Sequence, residues 1–282
     1  MAGPTGPRTS WLRRVDWKHL VHSWGPFLVL VCCWELITLA VGSPFFPPPT
    51  TILGAGFELW FGGPASQLFL GDPVFDDILP SLRRMLTAWL LACAIGIPLG
   101  MALGRSTVAM AYTGALLSFL RAMPPPALLP VFIVLFGLAD EMRIATIVFA
   151  VLWPILLNTV DGAQSVDQVK EQTARAFRIP RWQWVTGVVL PAALPKIMAG
   201  LRVSLSLSLV VMVISELVGS ADGIGYKIRY AQVTANMPAM WAWIVLLGIL
   251  GYALNTLLLA FERRVLSWHP SQNAAQSAKT GG

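Results

Sequence analysis

The sequence predicts an all-α integral membrane protein with about six transmembrane helices. Three observations carry that reading. Of the 282 residues 56% are apolar and only 12% charged, with a mean hydropathy of +0.66, too apolar for a water-soluble domain. Six apolar runs reach or approach the ~20 residues that cross a hydrocarbon core of ~30 Å. Lysines and arginines gather in alternate connecting segments, as cytoplasmic loops require.

The chain opens with a basic segment, residues 1–24, which lacks a small-residue cleavage site behind a short apolar core. The first run, Pro26 to Val41, is therefore expected to stay as an anchor, although it is the shortest of the six. Residues 25–80 form this helix and an outer loop. The loop begins with FFPPP, which cannot be regular helix, and continues with Ile52, Leu53, Phe57 and Trp60 at helical spacing, suited to a helix in the headgroup zone.

A core of residues 81–262 holds the remaining runs. In the second, Leu82 to Leu103, Gly96, Gly100 and Gly104 recur every four residues and put three positions without side chains on one face, a surface for close helix packing. The third, Val108 to Leu138, is broken between Arg121 and Pro130 by four prolines, among them Pro124. Backbone of that kind survives at membrane depth only inside protein or along an aqueous cavity, which makes it a candidate for a transport path. The fourth run is Ile144 to Val160 and the fifth Leu194 to Val218, where Gly200, Ser204, Ser208 and Ser215 share a face open to two roles, lining a pore or packing on a neighbour. Glu216 and Arg202 near its ends must face protein or water, because a charge in hydrocarbon costs roughly 2.5 to 3.5 kcal/mol even on insertion scales. Met240 to Phe261 is the sixth run, and residues 263–282 form a tail.

With the N-terminus inside, the inner segments hold thirteen Lys and Arg, from Arg8, Arg13, Arg14 and Lys18 to Lys279. The outer loops hold three, Arg143, Lys227 and Arg229, or five with Arg83 and Arg84. Both termini are thus expected in the cytoplasm, and the formal net charge of +6 is a signal of topology, with no nucleic-acid partner implied. Cys32, Cys33 and Cys93 lie in apolar runs without metal-ligand spacing, and His19, His22 and His269 lie near the termini. No catalytic residue, metal site or bound cofactor is expected.

Between the fourth and fifth runs lies a mostly polar stretch, Ser165 to Pro195, rich in basic residues. Asp167 to Phe177 can form a short amphipathic helix, Pro180 forces a turn, and a second helical piece, Arg181 to Val189, precedes a Leu-Pro that restarts an apolar helix. Two such helices joined by a bend offer a knob with an apolar face, suited to the groove of a soluble partner.

This stretch resembles the EAA loop of the permease subunits of bacterial binding-protein-dependent ABC importers. That loop reads Glu-Ala-Ala, three residues, Gly, nine residues, Ile, one residue, Leu-Pro. Anchoring on Leu190-Pro191 puts Val188 at the Ile, Arg178 at the Gly and Gln172-Thr173-Ala174 at the Glu-Ala-Ala, with Glu171 adjacent to the missing charge. Arg178 departs from the pattern where Gly would allow a tight turn, and Pro180 is expected to supply the bend instead. The resemblance extends through FFPPPTTIL, LPSLRRML, LSFLRAMPPPALLPVFIVLFG, LPAALPKIMAGLRVSLSLS, ISELVGSADGIGYKI and RRVLSWHP, in order over roughly residues 20 to 270, and points to the nitrate, sulfonate, taurine and bicarbonate subfamily.

The resemblance implies a type I ABC importer permease fold in the bacterial cytoplasmic (inner) membrane, with cytoplasmic coupling helices. Glu171, Gln172, Thr173, Ala174, Phe177, Arg178, Pro180, Val188, Leu190 and Pro191 would couple to the ATPase. It also implies partners: cytoplasmic ATPase subunits carrying ATP and Mg, an extracytoplasmic solute-binding protein, and a second permease copy, expected to be identical. The chain has no GxxxxGK[ST] loop, so ATP hydrolysis belongs to a partner. For the pathway the expected residues are Arg121, Pro124, Ser204, Ser208, Ser215 and Glu216, with the Arg121 guanidinium favouring an oxyanion through paired donors. Alternatives are a permease for another small solute, such as an aromatic acid or a pyrimidine precursor, and a secondary transporter driven by an ion gradient.

Overall fold

The computed structural model describes residues 17–64 and 69–267, and every described regular element is helical. Arg8, Arg13, Arg14, His269 and Lys279 lie outside the described residues, as does most of the tail. Helix α1 is Trp17–Val41 and α2 is Pro49–Phe61. The bundle follows as α3 (Leu79–Gly104), α4 (Thr107–Ala122), α5 (Leu129–Phe136) and α6 (Asp140–Gln164). A short α7 (Gln168–Ala176) and one turn, α8 (Arg181–Trp184), lead into α9 (Leu190–Leu217), then α10 (Ile224–Val233) and α11 (Met237–Val265).

Among the described residues, four helical stretches are long and apolar enough to span a membrane: Val74–Gly104, Asp140–Gln164, Arg181–Leu217 and Met237–Val265. The pair α4 and α5 counts as a fifth only if its break is bridged, and α1 contributes the shorter apolar stretch Gly25–Val41. The six runs read from sequence thus all appear as helices, but the first is short and the third is bent through 86°. Pro124 to Pro126 cause that bend. With no amides to donate, this segment leaves the α register for a 3₁₀ turn, Pro125–Leu128.

The centre is a sandwich of α3, α6 and α9, with α6 in the middle. Small residues set the spacing, because a Cβ on Gly100 would lie 2.7 Å from both the Leu156 carbonyl oxygen and the Thr159 Cβ of α6. Gly96 and Gly104 face the same helix, so the glycine stripe is a packing face. Around it Met85, Ala88 and Ala92 of α3, Ile147, Val151 and Ile155 of α6, and Ala193, Met198 and Met212 of α9 make one buried core. By contrast, α4 buries no residue within the chain.

The first helix is fastened through its C-terminal end. Glu35 accepts from the Thr50 amide at 3.0 Å and the Thr50 hydroxyl at 2.7 Å, capping the start of α2. Trp241 of α11 donates its indole N–H to the Phe45 carbonyl at 3.0 Å and meets the Trp34 ring edge-on at 5.6 Å.

One expectation needs correction. The second piece of the polar loop does not stop before the fifth span: Arg181–Leu217 is one continuous helical stretch of 37 residues. A single π turn, Val185–Val189, makes this possible, since the Leu190 amide donates to Val185, five residues back. That wider register relieves the clash of the Pro191 ring with the preceding turn. An identical arrangement opens α3, where the π turn Val74–Ile78 precedes Leu79-Pro80 and the Leu79 amide donates to Val74.

Candidate functional site

The polar loop is built from its caps inward. Asp167 accepts from the Val169 amide at 3.1 Å and starts α7, whose last turn closes as a Schellman cap. In that cap the Ile179 amide donates to the Ala174 carbonyl at 2.9 Å and the Arg178 amide to the Arg175 carbonyl at 3.1 Å. The motif demands a left-handed residue between them, and Arg178 supplies it with φ of 51°. Sequence reasoning put the turn at this place but gave the bend to Pro180. The structure makes it at Arg178 itself, and Pro180 is the extended N-cap of α8.

Glu171 then ties the loop to the bundle. Its carboxylate accepts from Arg105, just past the end of α3, at 2.7 Å and from Arg175 at 2.7 Å, while Arg105 also donates to the Ala163 carbonyl of α6 at 3.4 Å. The Arg105 hydrogen bond, with Arg175 second, holds the Glu171 carboxyl below its ordinary value. Ala174 is buried beneath the helix, whereas Gln172, Thr173, Phe177, Arg178 and Pro180 are exposed. Val188, Leu190 and Pro191 are half-buried where the long helix begins. The loop therefore presents Val169, Phe177 and Trp182 to solvent, 65%, 77% and 67% exposed, on a support fixed by ion pairs. Such a rigid apolar knob can seat in a groove and pass displacement to α3, α6 and α9.

At the opposite end, α3, α6 and α9 share an ion cluster. Arg84 is its hub: Nε donates to Asp140 at 2.6 Å, Nη2 to Asp222 at 2.6 Å and Nη1 to Glu216 at 3.3 Å. Glu216 also accepts from the Ser81 hydroxyl at 2.7 Å and the Gly225 amide at 3.0 Å. Asp77 accepts from the Gly223 amide at 3.0 Å and pairs with Lys227 at 3.3 Å. Gly223 has φ of 106°, and a Cβ there would lie 2.6 Å from the Glu216 carboxylate, so only glycine admits this approach. Sequence reasoning singled out Glu216 and left its partner open; Arg84 had counted only as a marker of topology. The other intramembrane charge, Arg202, pairs with Glu262 of α11.

The residues expected along a path fall in two places. Arg121 and Pro124 are exposed at the bend between α4 and α5, and Arg121 makes no ion pair with a described residue. Ser204, Ser208, Ser215 and Glu216 are buried inside the chain, with the three hydroxyls donating to carbonyls of their own helix at 2.9, 2.7 and 2.8 Å. Ser204 also accepts from the Trp89 indole of α3 at 2.8 Å. Among the described residues no cluster of His, Cys, Asp and Glu has the geometry of a metal site.

Residues 96–267 match the family model described as "Binding-protein-dependent transport system inner membrane component". The taurine transport system permease protein TauC of Escherichia coli (strain K12) is 31% identical over 264 residues, which cover 91% of this chain and 94% of that protein. The putative aliphatic sulfonates transport permease protein SsuC of Bacillus subtilis (strain 168) is 30% identical over 245 residues, 86% of each. The nitrate import permease protein NrtB of Leptolyngbya laminosa is 29% identical over 244 residues, 85% of each. Among solved structures, the MetNI methionine ABC transporter in inward-facing conformation aligns with a TM-score of 0.60 at 21% identity, over 67% of this chain and 94% of that one. A bacterial ABC transporter for alginate aligns at 0.52 and 15% identity, over 88% and 98%. At these identities the structural likeness speaks for the fold, a type I importer permease.

Proposed function

The chain belongs to the family of binding-protein-dependent transport system inner membrane components, and we propose that within an ABC importer it carries a small sulfonate- or nitrate-like anion. Membership makes it a transport subunit without ATPase chemistry of its own, working with a separate ATPase and a solute-binding protein. The anion is the finer reading. Relatives named for taurine, aliphatic sulfonates and nitrate all concern compact oxyanion groups, and Arg121 stands exposed at the proline bend with no ion pair among the described residues.

Coupling in this reading runs through Glu171 to Pro191. The observation that carries it is the support of α7: Glu171 bonded to Arg105 at 2.7 Å beneath an exposed Phe177. A load on the knob therefore reaches α3 and α6 directly. Two identical copies are proposed to form the path, with both termini cytoplasmic and ATP and Mg bound only by the ATPase.

Reconstitution with the cognate ATPase and binding protein tests the proposal. ATP-driven uptake of taurine, an alkanesulfonate or nitrate is expected, and Phe177→Glu should abolish uptake while leaving the helices folded. Uptake of only uncharged solutes would refute the anion, and full coupling in Phe177→Glu would refute the knob.

A further inference from the structure

Helix α10 is clasped at its first turn by polar bonds. The Gly223 amide donates to Asp77, the Ile224 amide to the Ser81 hydroxyl and the Gly225 amide to Glu216, each at 3.0 Å. Lys227, one turn further on, pairs with Asp77 at 3.3 Å, and Arg84 holds Asp222 of the preceding link at 2.6 Å. All the partners in this clasp come from the π turn before α3, from α3 itself and from the end of α9.

The rest of the helix is less tightly seated. It buries Ile224, Gly225 and Ala231, while Arg229, Tyr230, Gln232 and Val233 are exposed. Against the end of α9 it leaves a cavity of about 360 Å³, walled by Leu217, Tyr226, Tyr230 and Val233 among others. Its two ends are also jointed differently. The link from α9 has positive φ at Gly219, 67°, and at Gly223, 106°, and Gly219 is exposed. The other end closes in a Schellman turn, with the Asn236 amide donating to Ala231 at 2.9 Å and the Ala235 amide to Gln232 at 3.2 Å, and runs at once into α11.

The chemistry of the clasp suits a contact with two discrete states. Apolar packing would hold so short a helix without the desolvation cost that buried carboxylates and a buried guanidinium carry. Directional polar bonds let go within about an ångström of extension, and water then satisfies the parted groups. Glu216 is the carboxylate at the far end of the helical stretch that begins at the knob, so displacement of α9 acts on the clasp directly.

We propose that α10 is a lid. Released from Asp77, Ser81 and Glu216, it pivots on the Ala235 turn at the start of α11 and uncovers the end of the bundle opposite the polar loop. In the open state the Asp77, Ser81 and Glu216 side chains line the mouth through which solute enters. The inference rests on the proposed cytoplasmic placement of the polar loop, deepens the transport reading by naming its moving part, and is independent of which solute is carried.

The test uses the assembled importer, permease with ATPase, in proteoliposomes, with Cys32, Cys33 and Cys93 replaced by alanine. A single thiol is placed under the lid by Ser81→Cys or, with every clasping side chain kept, by Ile224→Cys; both positions are 0% exposed. Modification by a water-soluble methanethiosulfonate is timed without nucleotide, and again after trapping with ATP, vanadate and the cognate binding protein. Rates at both positions should rise about tenfold or more on trapping, and Lys227→Gln should raise the nucleotide-free rate several-fold. Val151→Cys, buried at the centre of the sandwich, should react slowly in every state. Unchanged rates at 81 and 224, in protein that still couples ATP hydrolysis to uptake, would overturn the lid. A matching rise at Val151→Cys would overturn it too, since the whole bundle would then be loosening. A nucleotide-dependent rise at 81 and 224 alone, without uptake of any anion, would refute the proposed solute and leave the lid standing.

Discussion

Arg84 and Glu216, far apart in sequence, meet at the end of the bundle opposite the polar loop, with Nη1 and Oε1 3.3 Å apart and side chains only 4% and 0% exposed. The same guanidinium holds Asp140 and Asp222, so one cation serves three carboxylates from three segments. Breaking a buried pair from one side leaves a charge without compensation and costs about 3–5 kcal/mol. Arg84→Met is expected to lose at least that much and to lower the melting temperature of the detergent-solubilised protein sharply. Glu216→Gln, which keeps polar atoms beside Ser81 and Gly225, should lose less. An Arg84→Met protein as stable as wild type would mean that the cluster contributes nothing.

Arg178 holds a left-handed conformation that costs a side-chain-bearing residue roughly 1–2 kcal/mol, offset partly by the entropy glycine gains on unfolding. Arg178→Gly should therefore stabilise the loop by up to about 1 kcal/mol, read as slower proteolysis between α7 and α8. Arg178→Pro cannot reach positive φ and should unravel the end of α7. Faster cleavage of the glycine variant would contradict the strain.

Glu171 gives the loop a pH dependence of definite sign. Its carboxyl lies below the ordinary 4.5 in the folded protein, so its contribution is complete above 4.5 and is lost as pH falls through the lower folded value. Melting temperature should decline on the acid side in wild type and decline less in Glu171→Gln, with the two curves converging at the lowest pH. Parallel curves would remove Glu171 from the acid response.

The spacing of α3 and α6 depends on Gly100, where a Cβ would sit 2.7 Å from a backbone oxygen that cannot swing aside. Gly100→Ala should cost about 1–3 kcal/mol through forced separation of the helices. Gly114 of α4 has nothing within 4 Å of an added Cβ, and Gly114→Ala should be neutral or slightly stabilising. Similar losses in both would exclude packing as the cause.

At the α4–α5 bend, Arg121→Gln should raise the concentration of anion needed for half-maximal uptake about tenfold or more, with the fold unchanged. Arg121→Lys should restore part of it, since charge survives and the paired donors do not. Uptake kinetics indifferent to both changes would remove Arg121 from the path.

Spans were legible in the sequence because hydrocarbon thickness imposes length, and Leu82 to Leu103 fell within three residues of α3 at its start and one at its end. The Pro124 to Pro126 break was legible because missing amides have one consequence in any environment. Partners of buried charges were not: Arg84 and Glu216 are joined only by tertiary packing, and no local pattern announces it. The turn at Arg178 was half legible. Spacing located it, but residue preference argued against arginine there, and the Schellman bonds to Ala174 and Arg175 overrode that preference. The continuity through Leu190-Pro191 was missed because a Leu-Pro after a polar stretch reads as a helix start, and here a π turn carries the helix past it.

That continuity gives the molecule a lever arm. Arg181–Leu217 runs about 55 Å at 1.5 Å per residue, with the knob at one end and the Glu216 carboxylate at the other. A tilt of about 5° at the knob end would sweep the far end through about 5 Å if the rod stays stiff, farther than any contact in the Arg84 cluster can stretch. In the proposed coupling, movement imposed at the knob would thereby be translated, without a relay of small side-chain shifts, into making or breaking ion pairs at the far end.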